Sequence, residues 1–291
     1  MFEIKRYDPS HEQAWNDFVA RTRATHYSAK NGTFLFDRRF MDYHSDRFAD
    51  SSLMILRKGR VYALLPANRV GDTLHSHQGL TYGGLLTDAK ATAEGVMEAF
   101  GALNAWLRNE GVRRVTYKAM PWIYHRLPAE EDLYALTQVC HARLLTREIS
   151  STILLQQPLR FTESRKSGLR KALREGLYME ESGDLAAFWQ MLDDNLASRH
   201  HTHPVHSLAL HLLQGRFPQQ IHLYLIYNKE KEPVGGTWVF DTGQVVHTQY
   251  IASTEEGKAH GALDLLFDEL INRRYREGIY LDFGKSTEEG G

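Results

Sequence analysis

The sequence predicts an α/β (α+β) protein of two consecutive domains, each a mixed, largely antiparallel sheet flanked by helices. Three observations carry this. A chain of 291 residues is long for one core and suits two, at roughly 150 residues per domain. Hydrophobic residues make up 42% and charged residues 24%, the balance of an ordinary folded chain without low-complexity tracts. The order strand, turn, strand, turn, strand, loop, helix, Gly, strand occurs twice, which reads as a diverged duplication.

Taken in order, FEIKRY reads as a strand, and Asp8 as cap with Pro9 behind it opens a helix whose Trp15, Phe18, Val19 and Thr22 fall on one face. From Ser52 follow three strands, SLMILRKG, RVYALLPANRV and GDTLHSHQGL, turned at Gly and Asp. A helix with Val96, Phe100, Leu103 and Leu107 in line ends at Gly111 and leads into the strand VRRVTYKA. The boundary is placed near residue 150, giving domains 1–150 and 151–291, with REISSTILLQQPL as the strand that enters the second. There the strands HLYLIYNKEKEP, VGGTWVFDTG and QVVHTQYIA precede a helix with Leu263, Leu266, Phe267 and Leu270 in line, which ends near Gly278 before IYLDFG. HSHQGL and VHTQYI occupy corresponding places in the two repeats.

Lys plus Arg (35) and Asp plus Glu (36) nearly cancel, so no global field draws the chain to DNA or an anionic membrane. No apolar run approaches the ~18 residues of a membrane helix, and MFEIKRYDPS has no signal-peptide core. A cytoplasmic protein without a membrane span is expected. Cys140 is the single cysteine, which excludes an internal disulfide and a cysteine-based zinc ribbon.

Three stretches stand out. In IASTEEGKAHGALDLLFDEL a strand ends, Gly257 and Gly261 turn the chain, and a helix is expected to begin near Ala259, so that its first amides face outward and can hold a phosphate beside Lys258 and His260. A glycine-containing connection without a ligand is the alternative. FTESRKSGLRKALREGLYME reads as an amphipathic helix ended by Gly176, with Lys166, Arg170 and Arg174 on one face and Leu169, Ala172 and Leu173 on another; the basic stripe either meets phosphate or stays solvated. SRHHTHPVHS lies between a helix that buries Leu185, Phe188, Trp189, Leu192 and Leu196 and a second one capped by Ser207. Its imidazoles have neither Cys nor carboxylate among them, so no metal is expected there.

The order of elements, together with Lys258, Ala259, His260, Gly261, Ala262 and Leu263 after the third strand of the second repeat, resembles the GNAT superfamily of N-acyltransferases, in particular its tandem branch related to Fem-type peptidoglycan aminoacyltransferases. The resemblance implies two tandem GNAT-like domains. It implies that Gly257, Lys258, His260, Gly261 and Ala262 hold the diphosphate of a coenzyme A thioester donor (acetyl-CoA), with Leu263 departing from the small residue of that pattern. The corresponding LTYGGLLTDAKAT has no Lys-x-x-Gly, which implies a non-catalytic first domain. The basic helix is similar to the one that opens the second Fem domain, and this implies that Lys166, Arg170 and Arg174 meet a phosphorylated cell-wall precursor, with an aminoacyl-tRNA donor, in the groove between the domains. The long charged coiled-coil insertion of several Fem enzymes is missing. By the same resemblance Arg199 and His206 border the acceptor.

Acyl transfer to an amine needs a neutral amine, a polarised carbonyl and a proton for the leaving group. No Ser-His-Asp order supports a hydrolase. His247 or Asp282 can serve as base, and Ser286 or Tyr250 can protonate the leaving group; strand alternation puts His247 and Gln249 on one face, with Gln249 toward the substrate. The expected function is transfer of an acyl group from an acetyl-CoA-like donor to an amine of a small molecule or cell-wall precursor. A Fem-type, aminoacyl-tRNA-dependent transferase and a catalytically silent ligand-binding protein are the alternatives.

Overall fold

The structure is a computed structural model and describes residues 1–20, 29–200 and 210–285. The chain divides into two compact units, Met1–Thr146 and Arg147–Gly291.

In the first unit β1 (Phe2–Arg6) is followed by a 3₁₀ turn, in which Asp8 accepts from the Ser10 amide with Pro9 behind it, and then by α1 (Glu12–Val19), which buries Trp15, Phe18 and Val19. The expected position of Thr22 on that face lies outside the described residues. A short α2 (Arg38–Met41) precedes β2 (Leu53–Arg57), β3 (Arg60–Leu65), β4 (Asn68–Val70), β5 (Thr73–His75) and β6 (Leu86–Thr87); α3 (Ala93–Asn109), β7 (Arg114–Thr116) and α4 (Glu131–Gln138) complete the unit. The long strand expected across RVYALLPANRV is broken into β3 and β4. Pro66 stands at the break and has no N–H for a ladder, and the next amide, that of Ala67, turns to the Ser52 hydroxyl at 3.1 Å. One sheet therefore becomes two, with strand orders β1-β2-β3-β6 and β4-β5-β7. The strand expected through HSHQGL also stops early, at His75.

The second unit contains β8 (Ser150–Leu154), α5 (Glu163–Arg174), β9 (Tyr178–Glu181), α6 (Leu185–His200), α7 (Leu210–Arg216), β10 (Ile221–Tyr227), β11 (Pro233–Asp241), β12 (Val245–Ser253), α8 (Glu255–His260), α9 (Ala262–Glu269) and β13 (Tyr280–Lys285). Its strands form one six-stranded sheet, β8-β13-β12-β11-β10-β9, antiparallel except between β12 and β13. That parallel pair requires the crossover that α8 and α9 supply. Helices α5 and α9 cover one face: Ala172 of α5, Leu265 and Leu266 of α9, and Val239, Val246 and Leu281 of the sheet share one core. On the other face α6 buries Leu185, Phe188, Met191 and Leu192. Gly235 and Gly236 show the two sides directly, because a Cβ on the first would meet Ala262 of α9 and one on the second would meet Phe188 of α6. On α5, Leu173 faces solvent rather than the core, at 53% exposure, and Gly168 takes the place of an apolar residue in the contact with α9.

The two units share a distinctive register. β5 and β7 pair in parallel through Thr73–Arg114, Leu74–Val115 and His75–Thr116; β12 and β13 do so through Val245–Tyr280, Val246–Leu281 and His247–Asp282. His75 and His247 hold equivalent positions, but Thr116 stands where the second unit has Asp282.

Candidate active site

The parallel ladder between β12 and β13 ends at His247 and Asp282, although β12 runs six residues further. At that last rung the His247 Nδ1 lies 2.9 Å from Asp282 Oδ2, and both residues are buried. A carboxylate only accepts hydrogen bonds, so Nδ1 carries the proton and the basic nitrogen is Nε2. Asp282 is itself held: Thr152 of β8 donates to Oδ1 at 3.2 Å, and Thr248 donates to its backbone carbonyl at 3.3 Å. Gly284, at φ +75°, lets β13 pass close to the imidazole; a Cβ there would fall 3.0 Å from His247 Cε1. Cross-strand partners share a sheet face, and Phe240, His247, Asp282 and Thr152 form one row across four strands.

A bulge sets the next row. β11 pairs Val239 with Thr248 and Trp238 with Tyr250, leaving Gln249 opposite no residue of β11. The alternation expected to put Gln249 beside His247 is shifted by this extra residue, and Tyr250 takes the place on the His247 face. Tyr250 and Trp238 both pack edge-on against Trp189 of α6, with ring centroids 5.6 and 6.2 Å away. Trp238 is fully buried, and its indole N–H has no acceptor among the described residues.

The glycine loop differs from its expected geometry. The first helix after β12 starts at Glu255 rather than near Ala259, because the Thr254 hydroxyl accepts from the Gly257 amide at 3.0 Å and caps it. Glu255 and Glu256 fill its first turn, and Lys258 is paired with Glu255. Gly261, at φ +79°, closes α8, with its own amide bonded to the Gly257 carbonyl, and opens α9. A Cβ on Gly257 would fall 1.9 Å from the Val234 carbonyl oxygen, and one on Gly261 would fall 2.4 Å from that of Gly168 on α5. Beside this contact Arg165 of α5 pairs with Asp264 in the first turn of α9 at 2.9 Å.

Residues 162–289 match the family model described as acetyltransferase (GNAT) domain. The second unit carries a GNAT acetyltransferase domain. Among solved structures, the crystal structure of FemX superposes with a TM-score of 0.65 at 12% identity, over 99% of this chain and 90% of that one. A conserved protein of unknown function from Bacteroides thetaiotaomicron gives 0.58 at 10% identity, over 99% and 93%. L-PGS from Bacillus licheniformis gives 0.56 at 12%, over 98% and 78%. At these identities the likeness is one of fold. No curated protein sequence matches the chain.

Within this GNAT domain the sequence candidates fall into separate groups. His247, Asp282 and Tyr250 share the α6 face of the sheet. Lys166, Arg170 and Arg174 lie on α5, which packs on the opposite face with α9. Lys166 is paired with Glu163 at 2.8 Å, and Arg174 lies 3.7 Å from Glu175. Lys258 and His260 end the last turn of α8. The side chain of Arg199, together with His206 and Ser286, lies outside the described residues, as does the histidine stretch from 201 onward. Among the described residues no three metal-ligating side chains gather, and no helix is long and apolar enough to cross a membrane.

Sequence reasoning missed Thr152, Trp238, and Asn195 of α6, whose amide donates to the Ser253 carbonyl at the end of β12 at 3.0 Å. Thr152 was not recoverable, since only the β8–β13 register brings it to Asp282. Trp238 carried a signal: a large aromatic in a glycine-rich central strand, two positions from Phe240.

Proposed function

We propose that the second unit transfers an acyl group to an amine, with His247 as general base and Asp282 as the group that orients it. The observation that carries this is the buried His247–Asp282 pair at the point where the β12–β13 ladder stops. The amine nitrogen attacks the acyl carbonyl carbon; a C–N bond forms and the bond from that carbon to the leaving group breaks. The amine proton passes to His247 Nε2, and the resulting imidazolium is stabilised by the carboxylate at Nδ1. The leaving group then takes a proton, for which Tyr250 stands on the same face. On that face Trp238 carries a buried N–H with no acceptor among the described residues, a donor that suits the acyl oxygen as negative charge develops there.

The first unit supports no such chemistry at its equivalent rung, since Thr116 cannot orient and charge-stabilise His75 as a carboxylate does. A coenzyme A thioester and an aminoacyl ester of tRNA both satisfy the acyl chemistry. The acceptor is an amine of a small molecule or cell-wall precursor, a reading that the fold shared with FemX supports. The test is transfer of labelled acyl groups by the full chain from acetyl-coenzyme A and from alanyl-tRNA to a panel of amines, read by mass spectrometry. A product formed by the wild type and lost in His247→Ala supports the proposal. Ligand binding without any transfer makes the chain a silent binding protein.

A further inference from the structure

The glycine loop is where a GNAT domain is expected to hold the diphosphate of its coenzyme, and the residues here do not fit that group. A diphosphate cradle needs unoccupied amides at a helix start, room for the phosphate against a bare Cα, and positive surroundings. The start of α8 has its Gly257 amide capped by Thr254 and two carboxylates in its first turn. Glu256 would repel the anion, and Glu255 takes up the charge of Lys258. The bare Cα of Gly257 is filled by the Val234 carbonyl and that of Gly261 by the backbone of Gly168. The start of α9 follows at once, with Ala262 fully buried and Asp264 in its first turn held by Arg165. Lys258, the cation of the motif, is already paired with Glu255.

Gly168 gives the reciprocal evidence. A Cβ on it would fall 1.8 Å from Asp264 Oδ2, so α5 and α9 each need a glycine where they touch. The Cα of Gly261 lies against the backbone of Gly168, and the Cα of Gly168 lies against the Asp264 side chain, which together mark a close helix contact. Leu169 and Ala172 of α5 continue it into the core with Leu265 and Leu266.

We infer that α5 occupies the place of the coenzyme diphosphate: the Gly168–Gly261 contact is a packing seam, and the acyl donor used at the His247 face is not anchored through coenzyme A at this loop. The word donor rests on the acyl-transfer reading; the seam itself does not.

Coenzyme A and acetyl-coenzyme A are titrated into the full chain by calorimetry, while the backbone amide resonances of residues 257–263 are followed by NMR. Binding no tighter than about 1 mM, with those resonances unmoved, is expected. Gly261→Ala and Gly168→Ala are each expected to lower Tm by several degrees. Micromolar binding of coenzyme A that shifts the Ala262 and Leu263 amides and is lost in Gly261→Ala at unchanged Tm overturns the inference. The titration needs no variant, so it decides even where Gly261→Ala does not fold. The two readings fail separately: coenzyme A binding at the loop removes the seam and leaves His247 chemistry standing, whereas absence of any transfer removes the chemistry and leaves the seam.

Discussion

His247 and Asp282 meet across the final rung of the β12–β13 ladder, Nδ1 to Oδ2 at 2.9 Å, in a buried row that runs from Phe240 to Thr152. The pair joins two strands separated by the whole α8–α9 crossover. Within that crossover Gly261 packs against α5, whereas the pair lies on the opposite, α6 face of the sheet.

Asp282→Asn keeps the shape of the pair but offers an amide that can donate to Nδ1 and move the imidazole proton to Nε2. Transfer is expected to fall by about 100-fold or more, the scale of a lost general base, with Tm within a few degrees of wild type. Steady-state kinetics with thermal melts check this; activity within a few-fold of wild type removes the orienting role of Asp282.

Gly284→Ala is expected to disturb the site as well as the backbone. Any non-glycine residue at φ +75° carries about 1–3 kcal/mol of strain, and the new Cβ would also press on His247 Cε1 at 3.0 Å. Gly243, at φ +79° with nothing within 4 Å of its Cβ position, is the control. Both variants should lose stability, and only Gly284→Ala should lose turnover. Equal kinetics in the two would show that Gly284 does not shape the site.

Much of this was legible before any coordinates. The helix ends at Gly111 and Gly176 and the buried face of α3 follow from local periodicity and turn chemistry; on α6 the periodicity marks Leu185, Phe188 and Leu192 correctly, but Met191 is buried while Trp189 and Leu196 are only part-buried. His247 and Asp282 were legible as polar residues on late strands; their contact was not, because the register of parallel strands is set by tertiary packing and leaves no local mark. One extra residue at Gln249 reversed the expected pairing of faces, as any bulge does to a period-two argument. At the loop, glycine spacing pointed to phosphate while Thr254, three residues before Gly257, spelled an N-cap. Gly168, which the charge and apolar pattern of the basic helix does not single out, is where that helix touches α9.

In the first unit two buried groups are expected to oppose each other with pH. Burial raises the Asp132 carboxyl from 3.8 to about 6, where Tyr117 donates to it, and burial lowers His77 from 6.5 to about 4. The folded state binds the extra proton at Asp132 between those values, so that contribution to stability is lost as pH rises toward 6. At His77 the unfolded state binds the extra proton, so its contribution is lost as pH falls from 6.5 toward 4. Each is on the order of 3 kcal/mol at 1.36 kcal/mol per pH unit. Asp132→Asn should therefore become less stable as pH falls through this window, and His77→Asn more stable, with the wild type flatter than either. Parallel slopes in all three, by denaturant titration at pH 4 to 7, contradict the assignment.

Replacing Trp238 with β-(3-benzothienyl)alanine keeps the ring shape and removes the N–H. If that N–H meets the acyl oxygen, the maximal rate should fall about 10-fold or more. Stability should hold or rise, because the folded state loses a buried donor that has no acceptor among the described residues. Unchanged kinetics would leave Trp238 as packing alone.

The most direct measurement is chemical rescue of His247→Ala with imidazole in the transfer assay. A fall in kcat of about 100-fold or more is expected, with donor KM and Tm near wild type, and part of the rate should return as imidazole is added. A His247→Ala protein that stays folded and transfers acyl groups within a few-fold of wild type, or one that imidazole does not rescue, contradicts His247 as the base.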